Sequence, residues 1–420
     1  MASTLKRAYD ALPSRLQEVA LSVYGVRNRR RLAQWRRVIE RLESTERASR
    51  EEHVALVSSR LRRILAHAIE FVPRYESLAR LSRELELSAD HKVPFEILAY
   101  FPIVSKAEIL ADSEAFRSRK FRRRELIKTV TSGTTGTPFA TWMERHAFAE
   151  SDALWFRRTL WAGYTDGDWI ARLVGDPVVP LGKGTAGRIW RRSIVDRRLY
   201  FSTYHLSAET ADEVVKALAR FKPQFLMGYP SALDSVASLA SPDCLEGWTP
   251  KAVLFSSEPM FDHQRETVSK FFGVPLRGLY GCAERCVSAA ECSGGTYHLS
   301  LYDGYVEGQF KFEKAARPAR ITGLLNRAMP LIRYELGDDL TVRDGDLCSC
   351  GRTLPAIDPV VTKFEDSIVT PSGRVVSPSI LTWAFKAPME SPEARSSRNQ
   401  LLQFEWLWSR TTRTGARSAK

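Results

Sequence analysis

Thr131-Ser-Gly-Thr-Thr-Gly-Thr-Pro138 carries two glycines and five hydroxyl side chains within eight residues. Gly133 and Gly136 allow tight turning that brings backbone N–H groups against an anion, and Thr131, Ser132, Thr134, Thr135 and Thr137 add hydroxyl donors. That is the chemistry of a phosphate cradle. It is not a Walker loop, because no Gly-Lys-Ser/Thr follows. The run Leu126-Ile-Lys-Thr-Val before it reads as a strand.

A second set is Cys292, His298, Cys348 and Cys350. Three thiols and one imidazole suit tetrahedral structural zinc. The same residues also fit buried thiols beside a surface histidine. Cys282 and Cys286 lie close in sequence and are left out of the set. Gly182-Lys-Gly-Thr-Ala-Gly187 has Pro177 and Pro180 before it, so it reads as a flexible loop and not a dinucleotide turn. His146, His205 and His263 have no nucleophile pattern around them, and no Gly-x-Ser-x-Gly elbow is present.

These residues need a scaffold, and 420 residues are enough for a large α/β body with an appended piece. The hydrophobic fraction of 44% fits a globular core. No apolar run reaches the roughly 18 residues of a membrane span. No secretory leader is apparent, so a cytoplasmic location is expected. The net charge of +13 comes partly from two clusters, Arg27 to Arg37 and Arg117 to Arg124. They read as solvated faces or as attraction for anions. No nucleic-acid signature accompanies them.

Residues 1 to about 95 carry helical periodicity, as in Leu32, Trp35, Val38, Ile39 and Leu42. From about 126, short apolar runs alternate with amphipathic stretches: Trp169 to Val174, Phe225 to Met227, Ala252 to Phe255, Val274 to Leu279. Ala211 to Phe221 reads as an intervening helix. This predicts an α/β sheet. The segment 299–347 reads as antiparallel, with alternation from Tyr305 to Phe312.

The cradle resembles the signature loop of the acyl-adenylate-forming (AMP-binding) superfamily. Tyr280-Gly-Cys-Ala-Glu284 resembles its Tyr-Gly-x-x-Glu motif, Arg333-Tyr-Glu-Leu-Gly-Asp338 its Tyr-Arg-Thr-Gly-Asp motif, and Ser256-Ser-Glu-Pro259 its Gly-Glu-Pro turn. Phe101-Pro-Ile-Val-Ser-Lys106, Gly228-Tyr-Pro-Ser231, Met329-Pro-Leu-Ile-Arg-Tyr334 and Cys348-Ser-Cys-Gly-Arg-Thr-Leu-Pro355 resemble the phenylacetate-CoA ligase branch and its CapK-type capsular polysaccharide members. The resemblance runs from residue 1 to about 385.

The resemblance implies a large adenylate-forming N-terminal domain with α/β subdomains and a small antiparallel part. It implies a helical region at 1–95, an AMP-binding core at 96–362, and a hinge with a shortened C-terminal domain at 363–420. It implies ATP- and Mg²⁺-dependent activation of a small carboxylic acid, followed by transfer to coenzyme A. Glu284 would hold Mg²⁺, Tyr280 would stack on adenine, and Asp338 would bind the ribose. Thr131 to Thr137 would cradle phosphate, and Ser257, Glu258, Pro259 and Gly281 would complete the nucleotide pocket. Thr135, Lys363 and Glu284 would be catalytic. The zinc set recurs in this branch. Two positions depart from the motifs: Lys363 stands where the hinge expects Arg, and Glu335 where the wider superfamily has Arg. A nucleotide-binding, catalytically weak partner subunit is the alternative function.

Overall fold

The computed structural model describes residues 2–130, 140–176, 178–180, 188–310, 318–338, 340–343, 348–360, 368–369 and 375–376. The helical N-terminal reading holds: α1 (Ala2–Ala11), α2 (Ser14–Glu43), α3 (Arg50–Phe71), α4 (Ser82–Leu87), α5 (Val93–Leu98) and α6 (Lys106–Ala111) come first. Ser49 starts α3 through a capping box with Glu52, and Ser105 starts α6 the same way with Glu108. Each box satisfies N–H groups that a helix start leaves unpaired. Pro73 opens a 3₁₀ segment, and Pro94 sits in the first turn of α5, where a missing N–H costs nothing. Buried Leu61, Ile64, Leu65 and Ala68 of α3 pack with Tyr75, Phe101, Tyr305 and Phe310.

A hairpin follows, β1 (Leu126–Val130) and β2 (Ala140–Glu144), with Val130 opposite Ala140. Then come α7 (Arg145–Trp161), β3 (Ile170–Leu173), β4 (Trp190–Ser193), β5 (Arg198–Phe201), α8 (Ala208–Phe221), β6 (Phe225–Gly228), α9 (Pro230–Leu239), β7 (Ala252–Ser256), α10 (Asp262–Phe272) and β8 (Leu276–Gly281). The remaining strands are β9 (Ser288–Glu291), β10 (Tyr297–Leu299), β11 (Gly304–Val306), β12 (Arg320–Gly323), β13 (Tyr334–Glu335), β14 (Val342–Arg343), β15 (Ala356–Ile357) and the pair β16 (Ile368–Val369) and β17 (Val375–Val376).

The main sheet has ten strands in the order β14-β15-β10-β9-β8-β7-β6-β3-β5-β4. Its centre, β8-β7-β6-β3-β5, is parallel, and both flanks are antiparallel. The central strands are covered on both faces, which explains why β7 reads as the continuous apolar run Ala-Val-Leu-Phe. Leu226, Val253, Leu254 and Phe225 are fully buried, each contributing about 1.5–3 kcal/mol of transfer free energy.

A separate three-stranded sheet, β11-β12-β13, is antiparallel as expected. The alternation predicted from Tyr305 is a strand only as far as Val306, because residues 307–310 form a turn. The charge cluster 117–124 is tied into local ion pairs: Arg117 and Arg123 meet Glu114, and Arg119 meets Glu76. The expected hinge and C-terminal domain lie almost wholly outside the described residues, as does the 182–187 loop. Among the described residues no helix is long and apolar enough to cross a membrane.

Candidate functional site

Parallel sheets of this kind present ligands at the carboxyl ends of their strands. Here β3 runs out into Gly175 and Asp176, β6 into Tyr229, β7 into Ser257 and Glu258, and β8 into the loop Cys282-Ala-Glu284. The motifs at 228–231, 256–259 and 280–284 therefore sit at one edge of one sheet.

The Tyr280 hydroxyl donates to Asp338 Oδ2 at 2.8 Å. Burial and the carboxylate beside it hold this phenol protonated well above its ordinary range. Tyr334, on β13, donates its hydroxyl to Glu284 Oε1 at 3.2 Å. Burial raises the Glu284 pKa and Asp338 adds to it, while Lys106 pulls it down. A carboxylate taken out of water this way gains from a cation.

Two arginines, Arg285 beside Glu284 and Arg333 within the 329–338 motifs, brace the segments around Glu284. Arg285 takes a left-handed backbone, φ 57°, and its guanidinium lies 3.9 Å and 4.5 Å from the ring centroids of Phe148 and Trp155. It also pairs with Asp152 at 2.7 Å. Arg333 donates to the carbonyls of Ala99 and Phe101, each at 3.0 Å, and to Glu307 at 2.7 Å. With the Val104–Tyr334 bridge, this seats the 101–106 segment on β13 and brings Lys106 toward Glu284. Lys106 appears in the sequence only as the end of a resemblance motif; its approach to Glu284 depends on that docking.

Ser257 has φ 74°, in the region glycine favours. It stands where the resembling turn has Gly. Glu258 Oε2 accepts from the Ser231 N–H at 3.0 Å, linking the ends of β6 and β7. Gly281 is exposed, with a Cβ position 3.5 Å from Trp155. Tyr229 faces Gly175, and Arg172 pairs with Asp176 at 2.9 Å. Phe255 is buried, and its carbonyl accepts from Arg158 at 2.6 Å. Glu335, at the position expected to be Arg, faces Arg320 at 3.7 Å.

Thr131, Ser132, Gly133, Thr134, Thr135, Gly136, Thr137 and Lys363 lie outside the described residues. The flanks of the cradle are described. Trp142 on β2 packs into the cluster that holds Tyr280 and Tyr334, and its carbonyl accepts from Asn326 at 2.8 Å.

The Cys/His set comes together. Ligand atoms of Cys292, His298, Cys348 and Cys350 all lie within 4.8 Å of one another. Cys292 Sγ is 3.4 Å from Cys348 Sγ, and Cys350 Sγ is 3.4 Å from His298 Nε2. With zinc–sulfur bonds of about 2.3 Å, a tetrahedron has sulfur–sulfur edges of ~3.8 Å, so the donor set fits such an ion after small shifts. His298 Nδ1 donates to the Leu354 carbonyl at 3.2 Å, which leaves the Nε2 lone pair facing the thiols. The cluster joins the β9–β10 turn to the loop before β15. Cys282 and Cys286 stay apart from it, their sulfurs 3.5 Å from each other.

No protein-family model matches the chain. The chain has the fold of the adenylate-forming CoA ligases: a crystal structure of 2-hydroxyisobutyryl-CoA ligase in an open conformation, with 2-HIB-AMP and CoA, superposes with a TM-score of 0.54 at 19% identity, covering 82% of each chain. Among curated proteins, Protein CapK of Staphylococcus aureus is 23% identical over 256 residues, 60% of this chain and 56% of that protein. A phenylacetate-coenzyme A ligase of Thermus thermophilus is 25% identical over 339 residues, 76% of this chain and 72% of that protein. The match to CapK thus spans little more than half of that protein.

Proposed function

We propose that this protein is an acid–thiol ligase that activates a small carboxylic acid with ATP and passes the acyl group to coenzyme A. The observation that carries the reading is the Tyr280–Asp338 hydrogen bond at the carboxyl end of β8, with Glu284 in the following loop. Adenosine would lie against the Tyr280 ring, its ribose hydroxyls donating to Asp338. The 131–137 cradle would take the phosphates. Glu284 would hold Mg²⁺, which prefers carboxylate and phosphate oxygens and would offset charge on the leaving pyrophosphate.

Carboxylate attack on the α-phosphorus forms the acyl-adenylate and expels pyrophosphate. The coenzyme A thiol then attacks the acyl carbon and expels AMP. Thr135 and Lys363 are proposed to stabilise charge in the first step. The division of the chain at about 95 and 362 is part of this proposal. So are structural zinc at the Cys/His cluster and a cytoplasmic location.

A role in surface polysaccharide biosynthesis is also part of this proposal and follows from the resemblance to CapK-type members. A second reading, a nucleotide-binding partner subunit of low activity, is favoured by Glu335 standing where the superfamily has Arg. ATP–pyrophosphate exchange with a panel of aromatic, fatty and hydroxy acids tests the ligase. Acid-dependent exchange, lost in Glu284→Gln, is expected. Tight ATP binding without exchange for any acid would leave the partner-subunit reading.

A further inference from the structure

We propose that the outward face of α2 docks this protein onto an anionic lipid surface. The inward face of the helix is committed to the fold. Gln17, Gly25, Ile39 and Leu42 are buried, and a Cβ on Gly25 would lie 2.6 Å from Asp196 Oδ1. Among the described residues the outward face is exposed: Leu16 is 50% exposed, Val19 58%, Val23 68%, Tyr24 52% and Val26 40%. Spacings of three and four place Leu16, Val19, Val23 and Val26 along one line. Ile194, 60% exposed at the turn after β4, extends the apolar strip, its N–H donating to Ser22 one turn from Val26.

Exposed aliphatic residues are ordinary when scattered; an aligned row is not. The same face then turns basic, with Arg27 and Arg30 in line with the row and Arg29 and Arg31 beside them. No Asp or Glu lies between Glu18 and Glu40. Arg36 pairs with Asp166, whereas Arg27, Arg29, Arg30 and Arg31 have no carboxylate partner among the described residues. An apolar ridge that runs into arginines with no carboxylate partner among the described residues is the pattern of a helix lying in a lipid headgroup layer. The net charge of +13 adds long-range attraction to anionic headgroups. Two copies joined through this face with their helices parallel would set arginine-rich segments together without an acid between them, which disfavours that form of self-association.

The test is co-sedimentation of the full chain with vesicles of phosphatidylcholine alone or mixed with phosphatidylglycerol, at low and high salt. Binding should require phosphatidylglycerol and weaken with salt. Val19→Glu/Val23→Glu and Arg29→Glu/Arg30→Glu should each lower the partition coefficient roughly tenfold or more. Thermal melting checks that both variants fold. No binding to mixed vesicles overturns the proposal, as does equal binding to both vesicle types or undiminished binding by the folded variants. A concentration-dependent dimer that Val23→Glu dissociates, without vesicle binding, would assign the face to a second copy instead.

Discussion

Tyr280 and Asp338 are 58 residues apart in the chain and meet through one 2.8 Å hydrogen bond. One ends β8 and the other follows β13, so the bond links the large sheet to the small one at the edge where the motifs gather. If adenosine binds there, Asp338→Ala removes a charged acceptor for the ribose hydroxyls. Such bonds contribute about 1.5–3 kcal/mol each, so the Kd for ATP should rise roughly 10- to 100-fold. Tyr280→Phe keeps the ring and loses only the bond that orients Asp338, for a rise of roughly 3- to 10-fold. Calorimetric titration with Mg-ATP checks both. Unchanged affinity in Asp338→Ala would move the nucleotide elsewhere.

The Cys/His cluster predicts about one zinc per chain in protein purified without chelator. Cys292→Ser should lose the metal and lower the melting temperature, as should prolonged dialysis against a chelator. The affected region would be β9, β10 and β15; β9 borders β8, with Ala289 opposite Tyr280, so ATP affinity should fall together with stability. Metal analysis reads the first outcome and differential scanning calorimetry the second. Metal-free protein with an unshifted melt in Cys292→Ser would make the cluster a set of buried thiols.

Much of this arrangement is written locally. Ala252 to Phe255 reads as a buried parallel strand because both its faces are covered, and Ser105 and Glu108 announce α6 through their spacing. Other features need the tertiary structure. His298 and Cys350 are 52 residues apart and meet because β10 pairs with β15. Lys106 approaches Glu284 only after Arg333 clamps the 99–101 turn, and nothing in either segment's local pattern encodes that clamp. The exposed row on α2 has the same three- and four-residue spacing as a core face; sequence periodicity shows a stripe without saying which side is buried.

Ser257 is the one residue of the Ser256–Pro259 turn with a positive φ, 74°. A non-glycine residue held there costs on the order of 1–2 kcal/mol, and glycine escapes that cost while losing up to ~1 kcal/mol in chain entropy. Ser257→Gly should therefore be neutral or stabilising by up to about 1 kcal/mol. Ser257→Val, β-branched and poorly suited to this region, should destabilise by about 2 kcal/mol or more. Denaturant melts of the two variants give the comparison. Equal destabilisation by both would show that the hydroxyl, not the backbone, matters there.

Two buried groups tilt stability in opposite directions with pH. His67, enclosed beside Ser118 and the Arg327 carbonyl, has its pKa pushed down by burial to about 4. Between roughly pH 4 and 6.5 the unfolded chain protonates this histidine and the native state does not, so its contribution to stability is lost as pH falls. Asp303, buried with Ser288 donating to it, is pushed up to about 6, burial again being the main cause. From roughly pH 4 to 6 the native state holds a proton the unfolded chain has released, so its contribution is lost as pH rises. Each effect is at most about 3 kcal/mol, and the two offset each other over the same interval. His67→Gln should expose the Asp303 slope, leaving a protein more stable at pH 4.5 than at pH 6, relative to wild type. Asp303→Asn should expose the opposite slope. Urea melts across pH 4 to 7 measure both, and parallel profiles for wild type and the two variants would mean that neither group titrates differently on folding.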